Sequence, residues 1–206
     1  MKFPIVVAVT GASGAIYARR LLEVLVSTGQ DVHLTISTSG RKVIKQELDI
    51  DIDLGSFQIE SLLGEVQASS TGATPGMVHY HHYQNMLSAI ASGSSRTAGM
   101  IICPCSCGTL SAVVHGSSTN LIHRAADVHL KEQRKLIVVP RETPLSIVHL
   151  ENMKRAAEAG AVVLPASPGW YHSVRDVSDL VDFVIARILD QLDIEHSLTK
   201  RWGDDP

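Results

Sequence analysis

Arg141 and Glu142 follow Pro140 at the end of a β-branched apolar run. A guanidinium beside a carboxylate at the mouth of a buried strand can hold an anion and move a proton. In open α/β sheets, ligands gather outside the carboxyl ends of the strands, where loops and helix N-termini converge. The other loops read at strand ends are rich in small and polar groups: Thr10 to Gly14 (T-G-A-S-G), Ser37-Thr38-Ser39-Gly40, Pro104 to Thr109, and Pro165 to Tyr171. Such loops suit a phosphorylated ligand. Gly11 and Gly14 would let backbone approach it closely, and Ser13 adds a hydroxyl at a helix start. Ser13 reads equally well as a plain helix cap. The spacing is neither G-x-G-x-x-G nor G-x-S-x-G, so neither a dinucleotide fingerprint nor a hydrolase elbow is present.

Five basic residues, Arg124, Lys131, Arg134, Lys135 and Arg141, stand against Asp127 and Glu132 in a chain of formal net charge -3. The run reads either as an anion-holding cluster or as a solvated helix face. Cys103, Cys105 and Cys107 form one C-P-C-S-C segment. Alternate residues are poor disulfide partners, which fits a reducing compartment, and the expectation is a cytoplasmic protein. No second cysteine pair accompanies them and His79, His81 and His82 lie in an unrelated segment, so no metal site is expected.

The elements that must position these groups alternate in type. Strands are predicted at Ile5 to Thr10, Val32 to Ile36, Met100 to Cys103, Leu136 to Val139, which Pro140 stops, and Ala161 to Leu164. Helices are predicted from Ile16 to Val26, Gly40 to Leu48, Thr109 to His115, Leu121 to Glu132, Ser146 to Ala159 and Asp176 to Leu192. From Asp49 to Gly99 the pattern predicts irregular structure, with only Met86 to Ala91 helical. The alternation implies an α/β domain with a mainly parallel sheet and helices on both faces. With 206 residues, 45% of them hydrophobic, residues 1–206 form one domain ending in a tail from about residue 193. The charge argues against general nucleic-acid or anionic-membrane binding, and no run approaches the ~20 apolar residues of a membrane span.

Nine segments are similar to the UbiX/Pad family of flavin prenyltransferases. They are T-G-A-S-G-A from Thr10, S-G-S-S from Ser92, C-S-C-G-T-L-S-A from Cys105, N-L-I-H-R-A-A-D-V-H-L-K-E from Asn120, V-P-R-E-T-P-L-S from Val139, H-L-E-N-M from His149, G-A-V-V-L-P from Gly160, P-G-W-Y-H from Pro168 and D-L-V-D-F-V-I-A-R from Asp179. The resemblance runs nearly end to end. It implies a flavodoxin-like, Rossmann-like three-layer α/β/α flavoprotein domain. The implied activity joins the dimethylallyl group of dimethylallyl phosphate to N5 and then C6 of reduced FMN. Prenylated FMN would then serve a UbiD-type decarboxylase in ubiquinone synthesis or aromatic-acid metabolism. A homododecamer without metal is also implied.

Matched residue by residue, the resemblance places Gly11, Ala12, Ser13, Ser37, Ser106, Cys107, Gly108, Thr109 and Arg141 at the flavin. It places Ser92, Gly93, Arg124, Lys131, Glu142, Tyr171 and Arg187 around the donor, partly from neighbouring subunits. Arg124, Lys131 and Arg187, with the Tyr171 hydroxyl, would neutralise the leaving phosphate. Trp202 would offer an aromatic face to allylic positive charge. Glu142 is the expected base or relay, assisted by Glu47 and Ser13, with Lys131 also in the catalytic set. Blander readings stand beside these: Glu47 as a solvated carboxylate near Arg41, Lys42 and Lys45, Tyr171 as a packing ring, and Arg187 lying along Leu180 and Val184. Cys107 is expected at a helix start rather than as a nucleophile.

The chain departs from the family pattern in places. Ser37-Thr38-Ser39-Gly40 stands where S-K-A-A is frequent, Gln133 replaces an arginine of K-E-R-R, and Gly64 to His82 matches poorly. Two other readings of the fold are a flavin-dependent cysteine-type decarboxylase and a non-enzymatic flavodoxin-like carrier. The first lacks its early catalytic histidine and Asn-rich motif here. The second gives Lys131, Glu142 and Arg187 no purpose.

Overall fold

The computed structural model describes residues 3–64, 74–171 and 174–199. At its centre lies β1 (Ile5–Val9), every residue of which is buried. A strand covered on both faces reads as a continuous apolar run, which is why I-V-V-A-V carries no alternation. In chain order follow α1 (Ala15–Ser27), β2 (Val32–Ile36), α2 (Thr38–Leu48), α3 (Glu60–Leu63), β3 (Val78–Tyr80), a single 3₁₀ turn at Ala89–Ala91, and β4 (Gly99–Cys105). After them come α4 (Cys107–Val114), α5 (Leu121–Lys131), β5 (Leu136–Pro140), α6 (Ile147–Glu158), β6 (Val162–Val163) and α7 (Val177–Gln191).

The strands form one sheet in the order β3-β2-β1-β4-β5-β6, and every neighbouring pair is parallel. Alternate residues face opposite sides of a strand. Ile5, Val7 and Val9 therefore pack with Leu21, Leu22 and Leu25 of α1 and Ile185 and Ile188 of α7. Val6 and Ala8 face Leu110 of α4, Ile122 and Ala125 of α5, and Ala156 of α6. Two helical layers thus enclose the sheet. Chain direction across it reverses between β1 and β4, the switch point where a doubly wound sheet opens a crevice.

Several sequence expectations need correction. The sheet has six strands, not five. β3 lies inside the stretch expected to be irregular, and it escaped notice because it is short, half-exposed and interrupted by His79. Without β3 the other five stand in flavodoxin-like order. Met86 to Ala91 is not a helix but ends in the single 3₁₀ turn. β4 continues past Cys103 through Pro104 to Cys105, and α4 starts two residues earlier than Thr109. Pro140 belongs to β5, because a proline at a strand end gives up only one ladder donor.

A histidine chain ties β3 and its exit loop to the sheet. His33 Nδ1 of β2 lies 2.7 Å from His81 Nε2, and His81 Nδ1 lies 2.9 Å from Ser88 Oγ. Burial, then the neighbouring His33 and His79, pull the His81 pKa down to about 4. Burial and His79 also lower His33, with Asp31 opposing them. A folded-state pKa below the unfolded value means that the unfolded chain takes up the proton first. The stability held by His81 is therefore full above the ordinary histidine range, falls as pH drops through it, and is spent below about 4. Urea unfolding of the wild type is expected to lose more stability between pH 7 and pH 4.5 than that of His81→Gln. Equal losses would contradict this assignment.

Candidate functional site

The loops at the switch point are built on close backbone packing. A Cβ on Gly40 would sit 2.7 Å from the Val9 carbonyl oxygen, and one on Gly11 would sit 2.5 Å from Ser39 Cβ. The first turn of α2 therefore presses directly on the end of β1, which only glycine permits at these two positions. Ser37 caps α2, its Oγ accepting from Gly40 N at 3.0 Å. Ser106 caps α4, accepting from Thr109 N at 3.3 Å, and its hydroxyl also meets Thr109 Oγ1 at 3.0 Å. Two capped helix N-termini thus flank the loop that carries Gly11, Ala12 and Ser13.

Glu47 reaches this loop from the last turn of α2. Its carboxylate accepts from Gly14 N at 2.9 Å and Ala15 N at 2.7 Å. Burial raises its pKa, but the Ser13 hydroxyl, these two amides and the Arg141 charge outweigh burial and leave it below the usual carboxylate range. Glu47 is thus ionised at neutral pH and occupies the positive end of the α1 dipole. Though exposed, it does not pair with the basic residues of its own helix: Lys45 pairs with Asp49 and Arg41 with Asp51. The N-terminal amides of α2 and α4 lie at the same edge, as does Arg141, whose Nε donates to the Ser13 carbonyl at 3.1 Å.

Glu142 lies exposed beside this group, its Oε1 accepting from Thr143 N at 3.0 Å. Burial, and then the Glu142 charge, push the Cys107 thiol up. Burial alone pushes Cys103 up to about 12. These thiols are poor nucleophiles as folded. Ser13, Glu47, Arg141, Glu142 and the Ser37 and Ser106 caps therefore converge on one edge of the sheet.

Apart from Glu142, the residues expected at the donor do not join them within one chain. Lys131 ends α5 at the opposite edge, where it donates to Glu132 Oε1 at 2.6 Å. A Cβ on Gly93 would fall 3.1 Å from Lys131 Nζ, so the Ser92-Gly93 turn sits there too. The five residues of β5 alone separate this edge from Arg141 by ~16 Å at the usual strand rise. Arg124 donates to the Ala91 carbonyl at 3.0 Å and pairs with Asp127 at 2.8 Å. The basic run of the sequence is therefore not one cluster: Lys131 and Arg134 gather around Glu132 and the Ser92-Gly93 turn, while Arg141 stands at the other end of β5.

Tyr171 and Arg187 form a third group beside β6. The Tyr171 ring meets Phe183 of α7 edge-on at 5.8 Å. Phe183 and Arg187 together line a cavity of about 310 Å³ against Val162, Leu164 and Pro165. Asp190 holds Arg187 at 2.9 Å. Trp202 lies outside the described residues. Two residues were given no site role from the sequence. Thr10, buried at the end of an apolar run, links the loops after β1 and β4; its only signal was a polar residue closing such a run. Tyr83 had no signal at all, and its hydroxyl accepts from Thr38 Oγ1 at 2.8 Å.

A doubly wound sheet with small-residue loops and capped helices at its switch point defines a flavodoxin-like α/β domain. Residues 1–189 match the flavoprotein family. A flavin prenyltransferase UbiX from Alkalihalophilus pseudofirmus is 46% identical over 198 residues, covering 96% of this chain and 95% of the relative. The crystal structure of AnUbiX (PadA1) in complex with FMN and dimethylallyl pyrophosphate superposes with a TM-score of 0.86 at 35% identity, covering 100% of both chains. The dodecameric FMN-dependent UbiX-like decarboxylase from Escherichia coli O157:H7 gives 0.84 at 36% identity, covering 98% of this chain and 100% of that one. The chain belongs to the flavin prenyltransferase UbiX family.

Proposed function

We propose that this protein is a flavin prenyltransferase that joins the dimethylallyl group of dimethylallyl phosphate to N5 and C6 of reduced FMN. The product, prenylated FMN, passes to a UbiD-type decarboxylase. One observation carries the reading: in a chain of this family, Ser13, Glu47, Arg141 and Glu142 meet at the switch point between the capped N-termini of α2 and α4. The donor set there fits FMN. Amides and hydroxyls of Ser37, Ser106, Cys107, Gly108 and Thr109 suit a phosphate and polar ring edges, and Gly11 and Ala12 add no bulk.

For the donor, the allylic C–O bond breaks, phosphate leaves with the bonding pair, and positive charge spreads over the allyl fragment. Arg124, Lys131, Arg187 and the Tyr171 hydroxyl stabilise the departing phosphate, and Ser92 and Gly93 shape its pocket. Glu142 takes the proton released at ring closure, with Ser13 and Glu47 fixing the local charge. Because Ser92, Gly93 and Lys131 sit at the far edge of their own sheet, a second copy supplies them. Exposed apolar side chains at Leu145, Ile147, Val148 and Leu150, and at Trp170, Tyr171 and Val177, suit self-association into a dodecamer. Among the described residues, no helix is long and apolar enough to cross a membrane.

Anaerobic incubation with reduced FMN and dimethylallyl phosphate, or with the diphosphate, tests this reading. Mass spectrometry of the released flavin is expected to show a product heavier by one five-carbon unit. Unchanged FMN with both donors would refute it.

A further inference from the structure

We infer that Thr10 is a positioning residue that sets the spacing between the two loops at the switch point. The inference rests on reading that edge as the flavin site. β1 and β4 are paired from Ile5 opposite Gly99 to Ala8 opposite Ile102, and then they part. Pro104 has no N–H to offer at the fork, and the register of β4 against β5 shifts between Ile102 and Cys105. The Thr10 side chain takes over where the backbone ladder fails. Its hydroxyl donates to the Pro104 carbonyl at 2.8 Å and accepts from Ser106 N at 2.8 Å, while Thr10 N reaches the same carbonyl at 3.3 Å.

Both hydroxyl functions are thereby used, and Thr10 is only 1% exposed. Ser106 is the cap of α4, so one buried hydroxyl fixes the start of α4 against the Gly11-Ala12-Ser13 loop that follows Thr10. Valine has nearly the same shape and neither function. Thr10→Val strands the partly buried Ser106 amide and lets the two loops drift apart. Thr10→Ser keeps both hydrogen bonds and loses one methyl group.

The test is FMN fluorescence titration of the full-length protein, with the thermal midpoint of each apo variant measured in parallel. Thr10→Val is expected to weaken FMN binding about tenfold or more at a temperature where it is fully folded, the scale of losing both hydroxyl hydrogen bonds. Thr10→Ser is expected to stay within about threefold of wild type, and the bound-flavin absorption spectrum should change only in the valine variant. Equal FMN affinity in wild type and Thr10→Val would overturn the proposal, as would a serine variant as impaired as valine. If Thr10→Val does not fold, the serine-to-wild-type comparison and a Thr10→Cys variant decide, and wild-type affinity for cysteine, a weaker hydrogen-bonding group, would count against it. Wild-type protein that binds no FMN would instead refute the flavin reading itself.

Discussion

Glu142→Gln is expected to slow formation of the prenylated product by about 10²–10⁴-fold, the usual worth of a positioned proton acceptor. FMN and donor affinity should stay close to wild type, because the amide keeps the carboxylate's shape and, among the described residues, the Glu142 carboxylate accepts only from the neighbouring Thr143 amide. The loss should fall on the ring-closing step, the one that releases a proton. Single-turnover spectra of reduced flavin should then show an early species that forms at a normal rate and stalls. Loss of the Glu142 charge should also let the Cys107 thiol titrate lower, since that carboxylate is one of the two influences raising it. A variant with wild-type turnover would leave Glu142 a purely structural residue.

Arg187→Ala should raise the apparent dissociation constant for the prenyl donor ten- to a hundredfold, matching a lost charge-assisted contact of roughly 1.5–3 kcal/mol. FMN binding should be nearly unchanged, because Arg187 lies beside β6, away from the switch-point loops that we propose hold the flavin. Asp190 already holds one arm of the guanidinium, so the fork is oriented before the donor arrives. Lysine keeps the charge but not the fork, and Arg187→Lys should recover only part of the affinity. Tyr171→Phe should behave like a weaker version of the alanine variant, since its ring contact with Phe183 survives without the hydroxyl. If the Arg187 variants lose FMN and donor together, or sediment as smaller assemblies, Arg187 is an assembly residue.

Much of this was legible in one dimension. The runs Ile5–Val9 and Leu136–Pro140 are apolar throughout because they are buried on both faces, and no surface element needs such a run. The glycine and serine loops after β1, β2 and β4 were the reason to expect a ligand edge, since small residues at strand ends serve close approach and capping. Arg141-Glu142 could be placed at that edge from its position after a strand alone.

The sequence by itself therefore determined the layered α/β class, the polar loops and the residue types available for phosphate and proton chemistry. Only the tertiary structure decided which of them meet. Glu47 stands 33 residues from Gly14, and Thr10 stands 94 from Pro104, so neither hydrogen bond leaves a local pattern. The edge strand β3 is too short and too exposed for periodicity to mark it. Lys131 and Arg141 are neighbours on paper, yet α5 runs down the sheet and β5 runs back up, so ten positions of chain put them at opposite ends. Local pattern records what each segment buries, whereas strand order and chain direction decide what each side chain touches.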